Sequence, residues 1–159
     1  MIQSISVSNS SIGLLHVQAV AGNVSDINML MIQDIHIFDC LIENRIDMMT
    51  LTLLVTYDPY SIIFSNLMFN NLEFVQGGNL LNFEHLLTMP VQIIDSEFTN
   101  IIGGKINVRS FTSNIPNLST NLVMNNITVN SANAKFDSFI TLKTGAVLSI
   151  SDSSFTNMN

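Results

Sequence analysis

The sequence predicts an all-β chain, a right-handed parallel β-helix solenoid of about six coils of roughly 24–26 residues with two loop insertions. Three observations lead there. A short alternating motif returns six times, neutral β-branched and amide residues replace the usual charged surface, and paired glycines stand where a coil has to turn. At 47% hydrophobic the chain has the material for a continuous core. Only 11% of its residues are charged, against roughly 25% in an ordinary soluble domain. Ile, Val and Thr suit a pleated surface, and Asn enters tight corners more readily than other non-glycine residues.

The motif is apolar-x-apolar-x-Asn/Asp-x-x-apolar. It occurs at Ile5/Val7/Asn9/Ile12, Leu30/Ile32/Asp34/Ile37, Leu67/Phe69/Asn71/Phe74, Val91/Ile93/Asp95/Phe98, Leu122/Met124/Asn126/Val129 and Leu148/Ile150/Asp152/Phe155. Its Asn/Asp positions 9, 34, 71, 95, 126 and 152 are 25, 37, 24, 31 and 26 residues apart. The short intervals set the unit, which holds three short strands and their corners, whereas helical repeats need about 33 residues or more. The long intervals predict loop insertions near 42–60 and 110–121. Period-2 alternation in Met49–Leu53, Lys105–Arg109 and Phe139–Thr144 predicts the second strand of a coil. Gly77-Gly78 and Gly103-Gly104 supply corners that need a positive φ.

With Asp95-Ser96-Glu97-Phe98-Thr99-Asn100 matched by Asp152-Ser153-Ser154-Phe155-Thr156-Asn157, the chain resembles the pectin-lyase-like β-helix superfamily and its polymorphic-surface-protein type of repeat. The resemblance covers nearly the whole chain and speaks to architecture more than to activity. A leucine-rich-repeat horseshoe shares the period, but Leu is not regularly placed.

Stacking at about 4.8 Å would line up Phe74, Phe98 and Phe155 as an aromatic core ladder. It would also line up a corner ladder of Asn9, Asp34, Asn71, Asp95, Asn126 and Asp152. Neutral and acidic members alternate, so successive carboxylates would stand about 9.6 Å apart with an amide between to donate. Corner hydrogen bonding is favoured over a calcium site, which gathers several oxygens about one point.

Other chemistry has little to build on. The net charge is −7 and the five basic residues, Arg45, Lys105, Arg109, Lys135 and Lys143, are dispersed, which argues against nucleic acid as a partner. Cys40 is the single cysteine and reads as a buried thiol. His16, His36 and His85 form no HxH or HExxH pattern, so no metal and no cofactor is expected. Sugar-cleaving members of the resembled superfamily carry clustered acids, or an Arg beside calcium-binding acids. Asp95 and Glu97 are the nearest pair here, and their place at a corner favours a solvated structural role. With no Trp and only Tyr57 and Tyr60, a sugar-stacking platform is poorly supplied. No apolar run reaches the roughly 20 residues of a membrane span.

Sequons at Asn9, Asn23, Asn117 and Asn126 are possible N-glycosylation sites if the chain enters the secretory pathway. Asn117 is the strongest, being in the expected loop 110–121. The opening residues do not read as a secretory signal, and neither end carries a polar cap. The expectation is a single domain over 1–159, a fragment of a longer repeat protein, with end-to-end contact to further coils or another subunit. Its expected role is non-enzymatic, structural or adhesive, at the cell surface or outside the cell. The alternative is a carbohydrate-binding or polysaccharide-cleaving β-helix.

Overall fold

The structure, a computed structural model, describes residues 2–8, 15–19, 29–43, 47–53, 61–84, 90–109, 121–133, 138–142 and 147–159. All its regular structure there is β: β1 (Ile2–Ser8), β2 (Leu15–Ala19), β3 (Met29–Ile42), β4 (Asp47–Leu53), β5 (Ser61–Glu84), β6 (Val91–Arg109), β7 (Asn121–Asn133), β8 (Ile140–Leu142), β9 (Val147–Ser151) and β10 (Ser154–Thr156). Every pairing among these strands is parallel. The main path runs β1-β3-β5-β6-β7-β10, with β9 also on β7. A second run joins β2 to β4, β4 to the end of β5, that to the end of β6, and β6 to β8.

Parallel pairing in register stacks like positions of successive passes about 4.8 Å apart. One inward column is Ile32, Phe64, Ile93, Met124 and Ile150, and another is Ile37, Phe69, Phe98, Val129 and Phe155. Alternation along each strand explains this. In Ile62–Phe64 the flanking residues are buried and Ile63 is only half-buried, as period 2 requires. Phe69 and Phe98 meet edge to face with centroids 5.5 Å apart, and Phe98 meets Phe139 at 6.0 Å.

The long strands are not straight. Phe64 and Phe83 lie near opposite ends of β5, where a straight strand would separate them by roughly 60 Å. Their rings are 5.2 Å apart. The chain turns between them at Asn66, Asn71 and Gly77, all with positive φ. A pass therefore folds its two ends over a shared core.

The register corrects two expectations. Phe74 is not in the aromatic column of Phe98 and Phe155: Phe69 occupies that place, and Phe74 pairs with Ile42. The insertion expected near 42–60 contains a paired strand, β4, while 44–46 and 54–60 lie outside the described residues. Residues 110–120, most of the other expected insertion, also lie outside them, and β7 begins at Asn121.

Candidate functional site

The most organised polar feature is a pair of corner columns. Among the described residues, ten other than glycine hold φ between 49° and 57°, a conformation that Asn and Asp tolerate better than other L-residues. In register, the first column is Asp34, Asn66, Asp95, Asn126 and Asp152, and the second is Asp39, Asn71, Asn100, Ser131 and Asn157. Each described main-path pass from β3 onward thus turns twice, with four strand residues between the turns.

Asn71 accordingly sits in the second column, and Asn66 takes the place expected for it in the first. Asn9 lies outside the described residues, and the pairing of Gln3 with Gln33 and Ile5 with Ile35 sets position 4 level with Asp34. The frame was ambiguous because Asn66 and Asn71 are one face apart. Ile62/Phe64/Asn66/Phe69 and Leu67/Phe69/Asn71/Phe74 satisfy the same motif. With Asn66 in place, cross-pass corner bonds span 32 and 31 residues in the first column and 32 and 29 in the second. The repeat is nearer 30 residues than 24.

In the first column the amides donate to the acids of the preceding pass. Asn66 Nδ2 donates to Asp34 Oδ1 and Asn126 Nδ2 donates to Asp95 Oδ1, each at 2.7 Å. Beside the column, Asn125 Nδ2 donates in the other direction, to Asp152 Oδ2 of the following pass at 3.1 Å. In the second column Asn71 is a relay, donating to Asp39 Oδ1 and accepting from Asn100 Nδ2, both at 2.7 Å. Acid, amide, acid, amide, acid is the order from Asp34 to Asp152, so no two carboxylates of that column occupy adjacent passes.

Sequence reasoning missed why Ser follows Asp at 95 and 152. Backbone pairing skips Leu67 against Ser96, where the corner interrupts the ladder. Ser96 Oγ replaces the missing acceptor: it receives the Leu67 N–H at 3.1 Å and donates to Ile94 O at 2.7 Å. Ser153 does the same, receiving the Ile127 N–H at 3.0 Å and donating to Ser151 O at 2.6 Å. The repeated Asp-Ser in the motif was the signal that could have found it.

A second missed feature is a buried amide pair in the other sheet run, Asn107 Nδ2 donating to Asn82 Oδ1 at 2.7 Å. Register continues the column through Thr50 below and Thr141 above.

The remaining candidates are dispersed. Asp95 and Glu97 are both exposed, and Thr99 Oγ1 donates to Glu97 at 2.8 Å. Cys40 is buried, its thiol donating to Phe38 O at 3.1 Å. His36 is half-buried with Nε2 lacking a hydrogen-bond partner. His85, Asn23 and Asn117 lie outside the described residues. Among the described residues, no three His, Cys, Asp or Glu side chains come together as a metal site would require, and no helix is long and apolar enough to cross a membrane. Asn126, the one sequon asparagine described, is exposed but holds a left-handed corner and gives an amide hydrogen to Asp95. No family model matches the chain, and neither does any curated protein or solved structure.

Proposed function

We propose that the chain is a stretch of right-handed parallel β-helix of the pectin-lyase-like type, serving without catalysis as a stiff structural or adhesive module of an extracellular or cell-surface repeat protein. The observation that carries the reading is the ring contact between Phe64 and Phe83, from opposite ends of one strand, combined with parallel pairing of successive passes. A pass folded over its own core, with successive passes in parallel register beside it, supports the solenoid reading. Among the described residues, the organised polar groups of the corners bond to one another along the stack and converge on no common point. That arrangement supports a structural role, since a reaction centre needs groups aimed at one reacting atom.

Two assays test the reading. Incubation with a panel of acidic and neutral polysaccharides, followed by reducing-end and unsaturated-uronide assays, is expected to release nothing; release above a heat-treated control would overturn the non-enzymatic role. Glycopeptide mass spectrometry on native material is expected to find glycan at Asn117 or Asn23, and bare sequons throughout would remove the extracellular assignment.

A further inference from the structure

Two exposed apolar side chains stand among acids just past the second corner column. Leu41 is 42% exposed and Val75 is 40% exposed, while Cys40, Ile42, Leu72 and Phe74 beside them are at most 3% exposed. Alternation therefore turns Leu41, Glu43, Glu73 and Val75 outward together. Leu41 pairs with Glu73. Ile42 pairs with Phe74, so Glu43 and Val75 follow in step, and the same offset of 32 residues holds at Asp47 and Asn79. The four side chains form a square, with Leu41 and Val75 on one diagonal and Glu43 and Glu73 on the other.

One side of the square is raised. From Glu73 to Gly78 β5 takes five steps, while β6 takes two from Ile102 to Gly104, so Phe74, Val75, Gln76 and Gly77 have no ladder partner in β6. Val75 and Gln76, both exposed, form a lip beside the half-buried Ile102. The charge of the square is also unbalanced. Its diagonal is roughly 8 Å between Cα atoms, about one Debye length at physiological salt, so the two carboxylates repel. Asp39, two residues before Leu41, adds a third acid, and among the described side chains the single Lys or Arg is Lys105, beyond the Gly103 corner and level with Asn79. A cation set between the glutamates answers both, and an aliphatic group on either side of it covers Leu41 and Val75. A second copy would bring the same acids and a net charge of −7, so it fits poorly.

We propose that Leu41, Glu43, Glu73 and Val75 form a docking patch for a cationic and apolar segment of another protein, a Lys or Arg flanked by aliphatic side chains. The inference rests on the reading of the chain as a contact module without catalysis, and names the chemistry of what it contacts.

The test is fluorescence anisotropy of labelled peptides titrated with the whole 159-residue chain, with circular dichroism on every variant. The probe is an alternating Leu-Lys-Leu-Lys-Leu peptide, and the controls are pentalysine and Leu-Gln-Leu-Gln-Leu. The probe is expected to bind at least about tenfold more tightly than either control and to weaken in high salt. Glu43→Gln with Glu73→Gln should weaken it at least about tenfold, and Glu43→Gln alone, at an exposed position, about threefold. Leu41→Ser and Val75→Ser should each cost about threefold. Glu97→Gln with Asp152→Asn removes the same charge elsewhere and should change binding less than about twofold. No saturable binding of the probe, equal binding of pentalysine, or equal losses from the two charge-matched pairs would each overturn the patch and leave the module reading intact. Self-association of the wild type that Leu41→Ser abolishes would also overturn it, by giving the patch to a second copy. Polysaccharide release would instead remove the reading beneath it.

Discussion

Replacing Gly104 by alanine asks whether the passes are packed as tightly as their register implies. A Cβ on Gly104 would lie 2.6 Å from Phe74 Cε2, 2.8 Å from Phe74 Cδ2 and 3.1 Å from Leu80 Cγ. Phe74 and Leu80 are both 0% exposed, so neither can swing outward. Overpacking a full core costs about 1–3 kcal/mol. The reduced freedom of an unfolded alanine returns about 0.4–1 kcal/mol. The net is a loss of about 1–2 kcal/mol, which at about 2–4 °C per kcal/mol lowers the melting temperature by roughly 2–8 °C. The diagnostic is a double-mutant cycle by urea denaturation followed at the β-sheet circular-dichroism band. Phe74→Leu removes the ring atoms that collide, so Gly104→Ala in that background should be nearly neutral, a coupling of about 1–2 kcal/mol. Gly103→Ala is the control, because its Cβ would meet the Phe74 carbonyl oxygen at 2.6 Å and its φ is +73°, neither of which Phe74→Leu relieves. If Gly104→Ala melts within 1 °C of wild type, or the two changes add, the packing argument fails.

Three further outcomes follow from the polar columns. Ser96→Ala removes the acceptor of the Leu67 N–H at a buried position and should cost about 1–3 kcal/mol in urea titrations, with Ser96→Thr retaining part of the loss. Asn66→Asp sets carboxylates in three successive passes, Asp34, 66 and Asp95, and removes the donor to Asp34; it should destabilise by about 0.5–1 kcal/mol, less in high salt, and equal stability in low and high salt would contradict the charge argument. Asn82→Ala leaves the Asn107 amide without its acceptor inside the core and should lower stability by about 1–3 kcal/mol, whereas Asn82→Leu with Asn107→Leu should recover much of it, as thermal melts would show.

The all-β character with parallel pairing was legible because inward columns write themselves directly into period-2 alternation. Leu122, Met124 and Val129 are all buried and were all visible as apolar positions of the motif around Asn126. The frame was less legible for a physical reason. A face of four residues between two left-handed corners makes the motif recur five positions later, so Asn66 and Asn71 compete for one role and Phe69 and Phe74 for another. Only cross-pass pairing separates them. The Ser96 and Ser153 bridges escaped because their acceptor role exists only against an N–H of the preceding pass, about 30 residues away in sequence. The Asn82–Asn107 pair escaped because an amide in a strand reads as an outward residue until its partner, 25 residues on, is known.

What the stack constrains also indicates where recognition can vary. Inward columns must be apolar and corner residues must accept a positive φ, so neither can change freely. The outward positions between the two corners carry no such demand: level with one another stand His36, Met68, Glu97, Thr128 and Ser154, and beside them Phe38, Asn70, Thr99, Asn130 and Thr156. No residue type repeats along the first column, while aromatic, amide and hydroxyl groups mix along the second. A surface that gripped a repeating polymer in step with the passes would present the same group at each step of about 4.8 Å. The first of these columns presents a different group at every step, while the second alternates amide and hydroxyl from Asn70 to Thr156, so the positive-φ chemistry that recurs at each described pass from β3 onward is confined to the corners that hold the stack together.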